Sequence, residues 1–292
     1  MAGRRLDSDR WLIFSLRILS KEIEFYLITF ISLAAKQYGK GGIVSKLLDN
    51  LNQAFRGSAP PLGFRRAKAT PKSPRMILIA TLPVDDAPAA ALAKEYADAV
   101  LLSDTKGTKF SDKFTASLGE IPWGVSIGEA TDEQIVDLKE AGCDFLVCDT
   151  EKAPLMLLRE EEIGRIVKLE PSLPDGLTRV TAQLPIDAVL IGGDPFPSVQ
   201  RLMICQHMVN LVRMPLVAPV PLDIAGEDLE ELWETGMAGI VVTVAGDSKE
   251  RLAVLRTAIE NLPISRRRTS DKSEAFLPYL GEEEIIDEDE EE

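Results

Sequence analysis

A single histidine, His207, occurs in the whole 292-residue sequence. Two-histidine metal sites and HExxH zinc helices are therefore excluded within one chain. Cysteine is almost as scarce. Cys143, Cys148 and Cys205 form no CxxC pair and no Cys/His cluster, which argues against a structural zinc site. An odd, low count fits a reducing compartment rather than a disulfide framework, so a cytoplasmic location is expected. Long apolar runs are also missing. The segment 11–35 is rich in apolar residues, but Arg17, Lys21, Glu22 and Glu24 interrupt it, and only Phe25 to Ala35 is uncharged. A membrane span needs about 20 such residues.

What is present is unevenly charged. The net charge is −14. Residues 1–75 hold 14 Lys/Arg against 5 Asp/Glu, while residues 281–292 hold 9 acids and no base. A basic head on an acidic body can dock on an anionic surface or on its own tail. The acidic body lacks the dense positive face that a nucleic-acid groove requires, so no nucleic-acid partner is expected.

The chain divides into five stretches. Residues 1–43 form an apolar and basic helical extension. For its segment 11–35 three readings stay open: a helix packed on its own domain or on another copy, peripheral membrane contact through an interfacial helix, and a true span. This extension differs in composition from the rest, which also suggests a translation start near Val44. Residues 44–57 carry an apolar stripe, Val44, Leu47, Leu48, Leu51, Ala54 and Phe55, with Ser45 as a candidate N-cap. This stripe predicts an amphipathic helix that covers one end of the following domain. Residues 58–75 are a Pro-rich, basic linker. Residues 76–264 are the main domain. Residues 265–292 are a linker and an acidic tail whose self-repulsion predicts disorder.

Within 76–264, short β-branched runs alternate with helical patterns. The strand candidates are 76–82, 98–103, 122–127, 143–149, 165–170, 187–192, 215–220 and 239–244. Helix candidates include 131–141, with a Thr or Asp cap and Gly142 as its stop, 226–235 before Gly236, and 248–261 with Ser248 as cap. The first of these is expected to bury Ile135, Val136 and Leu138. Near-continuous apolar strands joined by helices indicate parallel pairing with both sheet faces covered. Eight such units predict an α/β fold closed as a compact (β/α)8 barrel. A doubly wound open sheet is the alternative, because 76–264 is short for a barrel.

Residues 214–246, MPLVAPVPLDIAGEDLEELWETGMAGIVVTVAG, resemble the last two units of phosphate-binding (β/α)8 barrels. Gly236, Gly239, Ile240, Val241 and Val242 match the second half of that pattern. The phrases APPLGF (59–64) and LPIDAVLIGG (184–193) are similar to an uncharacterised bacterial family of such barrels, a likeness spanning most of residues 44–280. It implies a fold and no chemistry. The phosphate-binding resemblance implies glycines after strand seven, where this chain has Ala218-Pro219-Val220-Pro221. Proline offers no N–H to an anion. Gly192 and Gly193 after strand six, and Gly246 with Ser248 after strand eight, remain as substrate-binding candidates for a small anionic metabolite.

In a barrel the working residues lie at the carboxyl ends of the strands. Those ends read Thr81, Asp104, Glu129, Asp149, Glu170, Asp194, Asp223 and Asp247. Helix capping is the simpler role for such acids, and Asp223 and Asp247 suit it. A divalent cation, Mg²⁺ or Mn²⁺, held by Asp104, Asp149 and Asp194 is the functional alternative, since crowded carboxylates repel without one. On strand five, Ile166, Lys168 and Glu170 share one face by alternation. If that face points inward, Lys168 and Glu170 are the candidate catalytic pair. Lys168 would then act as a base or Schiff-base amine if its pKa is lowered, and otherwise as an inert ion pair.

GVSIG (124–128) satisfies GxSxG, but Ser126 falls inside a strand rather than on a strand-to-helix elbow, which argues against a serine hydrolase. Cys143 and Cys148 read as opposite faces of strand four. Two functions follow. One is a metabolite-binding barrel acting as a metal-assisted lyase or isomerase. The other is a non-catalytic barrel serving as a binding or membrane-surface scaffold.

Overall fold

A computed structural model of the chain describes residues 45–56, 74–103, 114, 117–128, 131–195 and 197–263. The expectations for 1–43, for the linker 58–73, for the tail, and for Asp104 and Glu129 lie outside the described residues. No helix of the described residues is long and apolar enough to cross a membrane.

Eight parallel strands close into a barrel in sequence order. They are β1 (Ile77–Pro83), β2 (Ala99–Ser103), β3 (Trp123–Ile127), β4 (Phe145–Asp149), β5 (Gly164–Leu169), β6 (Ala188–Ile191), β7 (Leu216–Pro219) and β8 (Gly239–Thr243). The described α-helices are α1 (Lys46–Arg56), α2 (Ala87–Tyr96), α3 (Asp132–Glu140), α4 (Asp175–Thr181), α5 (Val199–Val212), α6 (Gly226–Thr235) and α7 (Lys249–Asn261), with a 3₁₀ turn at Leu155–Arg159. The ring closes where β1 pairs with β8, Ile77 opposite Gly239 and Thr81 opposite Thr243. The open doubly wound sheet is thereby ruled out.

Strand alternation sorts the side chains into two layers. Leu78, Ala80 and Leu82 of β1, Val167 and Leu169 of β5, and Ile240 and Val242 of β8 face outward under the helices. Ile77, Ile79, Leu101, Phe145, Val147, Ile166, Val217 and Val241 fill the interior. β3 contributes no large side chain low in that interior. A Cβ on Gly124 would sit 2.4 Å from the Phe145 carbonyl and 2.5 Å from its ring, so the absent side chain is what admits Phe145. The residual interior cavity is about 10 Å³. This barrel is a packed core rather than a channel.

The predicted stripe of α1 is buried at Leu47, Leu48, Leu51 and Ala54, within the same cluster as the barrel interior. α1 therefore plugs the amino-terminal end of the barrel. Gly164 and Gly239, each the first residue of its strand, lie against Leu48 and Leu51. The helix start is fixed from afar. The Asp144 carboxylate, just ahead of β4, accepts from the Ser45 hydroxyl at 2.7 Å and from the Lys46 and Leu47 amides at 2.8 and 3.1 Å. Ser45 Oγ in turn accepts from the Leu48 amide, as an N-cap does.

Several local expectations need correction. Thr131 caps α3 in a full capping box with Gln134, but Val136 is exposed rather than buried. Asp223 does not cap α6, whose N-cap position is Ala225. Ser248 occupies the N-cap position of α7 without a side-chain bond into the helix, and its hydroxyl accepts instead from the Ala245 amide at 3.1 Å. Asp247 pairs with Arg251 one turn on, at 3.7 Å. Cys143 precedes β4, so strand alternation does not govern it. Both Cys143 and Cys148 lie in the outer layer.

Candidate functional site

With α1 seated at one end, the described residues leave the carboxyl-terminal end open. Continuing the inward alternation past the apolar interior brings Thr81, Ser103, Ser126, Asp149, Lys168 and Thr243 to this mouth. The Ile166/Lys168 face of β5 does point inward. Ile166 is interior, and Lys168 stands two residues above it.

Register creates the central ion pair. Asp149 and Lys168 are Cα partners on adjacent strands, and Lys168 Nζ lies 3.6 Å from Asp149 Oδ1. Glu170, one residue past β5, reaches the same ammonium at 3.1 Å. Its side chain is 52% exposed, against 37% for Lys168. The hydrogen bond from Lys168 to Glu170, helped by the Asp149 charge and opposed by partial burial, raises the Lys168 pKa above its ordinary value. A raised pKa keeps the amine protonated, which is the opposite of what a Schiff-base lysine requires. Lys168 is a held cation between two carboxylates.

Leu190 stands beside Lys168 on β6, and several of the other rim positions carry hydroxyls. Ser103 donates to the Leu82 carbonyl at 3.3 Å. Thr81 Oγ1 is buried without a hydrogen-bond partner among the described residues. A buried unpaired hydroxyl is costly.

The glycine candidates have packing explanations. A Cβ on Gly192 would sit 2.6 Å from Glu170 Oε1, so this glycine is the bed on which the carboxylate lies. Gly193 adopts φ +94°, a conformation that favours glycine. Gly246 lies against Pro88 in the first turn of α2. The Ser248 hydroxyl is buried and committed to Ala245. Of the three metal candidates, Asp149 is paired with Lys168, Asp194 is exposed, and Asp104 falls outside the described residues. Among the described residues no group of three or more His, Cys, Asp or Glu is placed to hold a metal ion.

The sequence decoys resolve simply. Ser126 is within β3, not on an elbow. His207 is on the surface of α5, 2.9 Å from Asp175. Burial pushes the Cys143 and Cys148 thiols up to about 12 and raises that of Cys205, so none is a nucleophile at neutral pH.

One residue was invisible as a site candidate. Arg201 sits on the buried stripe of α5 with Cys205, Met208 and Val212. It lines a groove of about 380 Å³ between α5 and α6, on the outer side of β7. A charged residue within a largely apolar helical stretch was the signal on offer.

No protein-family model matches the sequence, and no curated protein sequence matches it. Solved structures do resemble the fold. The tryptophan synthase complex from Pyrococcus furiosus superposes with a TM-score of 0.51 at 16% identity, covering 64% of this chain and 97% of the other. A structure addressing mutual activation of that α2β2 complex gives 0.50 with the same identity and coverage. So does a mutant tryptophan synthase α-subunit from the same organism. At this identity the likeness concerns architecture alone, and the architecture shared by the described residues is a (β/α)8 barrel.

Proposed function

We propose that this protein binds a small polar metabolite at the carboxyl-terminal mouth of its barrel, with Lys168 as the cationic anchor for an anionic or carbonyl oxygen. The observation that supports this is the Asp149–Lys168–Glu170 cluster at the end of an apolar, filled barrel that the described residues leave open. A charged group held at the rim by strand register is pre-organised for recognition. The hydroxyls of Thr81, Ser103, Ser126 and Thr243 suit an oxygen-rich ligand.

The chemistry such a cluster supports is proton transfer beside a carbonyl, the step common to simple lyases and isomerases. Glu170 would take the proton, and the Lys168 ammonium would stabilise the negative charge that develops on the carbonyl oxygen. Schiff-base catalysis is not part of this reading, because Lys168 stays protonated. Neither is a resident metal, since Asp149 is already engaged.

The test is a screen of small hydroxy- and keto-acids by amide chemical shifts on the full chain, repeated with Lys168→Met and Glu170→Gln. Binding that perturbs β5 and β6 amides and is lost in Lys168→Met supports the site. Binding that Lys168→Met leaves unchanged, or that maps away from the mouth, overturns it. A ligand that binds without turnover in either variant or wild type makes the protein a binding module. Stabilisation by Mg²⁺ or Mn²⁺ alone, lost in Asp149→Asn, would restore the metal-assisted alternative.

A further inference from the structure

We infer that the groove between α5 and α6 is a second binding site, for a small monocarboxylate with an apolar body. Three observations converge on that chemistry.

The first is volume and lining. About 380 Å³ lies within the range of small-molecule sites, roughly 300–1,000 Å³. Its walls are mainly apolar, with Pro195, Pro197, Leu202, Val220 and Leu232 among them. Val199 stands at its lip with 77% of its surface exposed, and Met203 follows one turn later at 67%. Large apolar side chains left in water beside an apolar groove favour an apolar occupant.

The second is Arg201. Only 7% of it is exposed, yet none of its bonds among the described residues goes to a carboxylate. Nη1 donates to the Gly192 carbonyl at 2.6 Å and Nη2 to the Ile191 carbonyl at 3.4 Å. Nε has no acceptor among the described residues. A desolvated guanidinium with no carboxylate in direct contact among the described residues is expensive, and its fork is shaped for one. A carboxylate seated in the groove beside Arg201 supplies the missing charge.

The third is the far wall. Asp228 and Glu231 of α6 line the same groove and are exposed. These acids oppose multiply charged anions. Phosphate esters are thereby disfavoured against a single carboxylate. The site also touches the barrel mouth through Arg201, because the Gly192 carbonyl it holds belongs to the residue beneath Glu170.

Octanoate is a suitable probe, with octanol as its neutral counterpart and inorganic phosphate as a polyanion. Titration of each into the full-length protein, followed by amide chemical shifts and calorimetry, separates the terms. Octanoate should bind and perturb amides in 198–202 and 218–232. Octanol should bind about tenfold more weakly, the order expected for loss of a charged hydrogen bond of about 1.5 kcal/mol. Phosphate should not bind there. Glu231→Gln, on an exposed position, should tighten octanoate severalfold. Arg201→Gln should weaken it at least tenfold. Because Arg201 also holds two backbone carbonyls, Val199→Trp at the exposed lip gives an independent variant that blocks entry and should abolish binding. Equal affinity for octanol and octanoate overturns the proposal. So does octanoate binding unaffected by Val199→Trp, octanoate shifts confined to the β5 mouth, or no octanoate binding at millimolar concentration.

Discussion

At the amino-terminal end of the barrel, Leu47, Leu48 and Leu51 of α1 meet Ile77, Phe145 and Ala188 in one apolar cluster, and the half-buried carboxylate of Asp144 spends its oxygens on the helix start. At the carboxyl-terminal end, Asp149, Lys168 and Glu170 stand among hydroxyls, partly exposed, with Thr81 Oγ1 unpaired among the described residues. The same eight strands supply both ends. The difference teaches where apolar packing gives way to charge along a strand: Ile166 belongs to the packed half and Lys168, two residues on, to the polar half.

That contrast can be broken by substitution. Leu51→Ala removes a fully buried side chain from the plug and should cost about 2–5 kcal/mol in chemical denaturation, with ligand binding at the mouth unchanged. A loss of mouth binding in a folded Leu51→Ala protein would show that the ends are not separable. Asp144→Ala strips three donors of their acceptor and should cost about 1–2 kcal/mol, seen as faster hydrogen exchange at Lys46–Leu48 before global unfolding. Lys168→Met should change stability by no more than about 1 kcal/mol, because a half-exposed ion pair is screened, while abolishing mouth binding.

The smallest effect concerns pH. The Lys168 pKa is raised in the folded state, so its contribution is fully present below the lysine value of the unfolded chain and is lost as pH climbs through the folded value. The stability gap between wild type and Lys168→Met should therefore stay constant from about pH 7 to 9 and close only above about pH 10.4. A gap that closes near neutrality would mean that the amine is not the held cation described above.

Most of the barrel was legible in the sequence, because period-two burial and β-branched runs are local signals. All eight strands fall within one or two residues of their expected limits, and the inward direction of Lys168 follows from parity with Ile166. The closure of the ring was legible only as a count. What was not legible depends on distant partners. Ser45 reads as a cap, but its acceptor Asp144 is 99 residues away. Asp223 and Asp247 read as caps because acids commonly precede helices, yet the N-cap positions fall at Ala225 and Ser248. Arg201 occurs in VQRLMICQHMVNLV, where apolar residues surround the whole helix and no single face stands out, so its burial could not be read from spacing alone.

The plug on one end also governs traffic. Among the described residues, a molecule at the rim has a single doorway, because α1 closes the opposite side and the centre is filled. Arrival and departure then use the same path in opposite directions. A ligand that lingers there would keep the next molecule out, so slow departure would limit exchange at the rim.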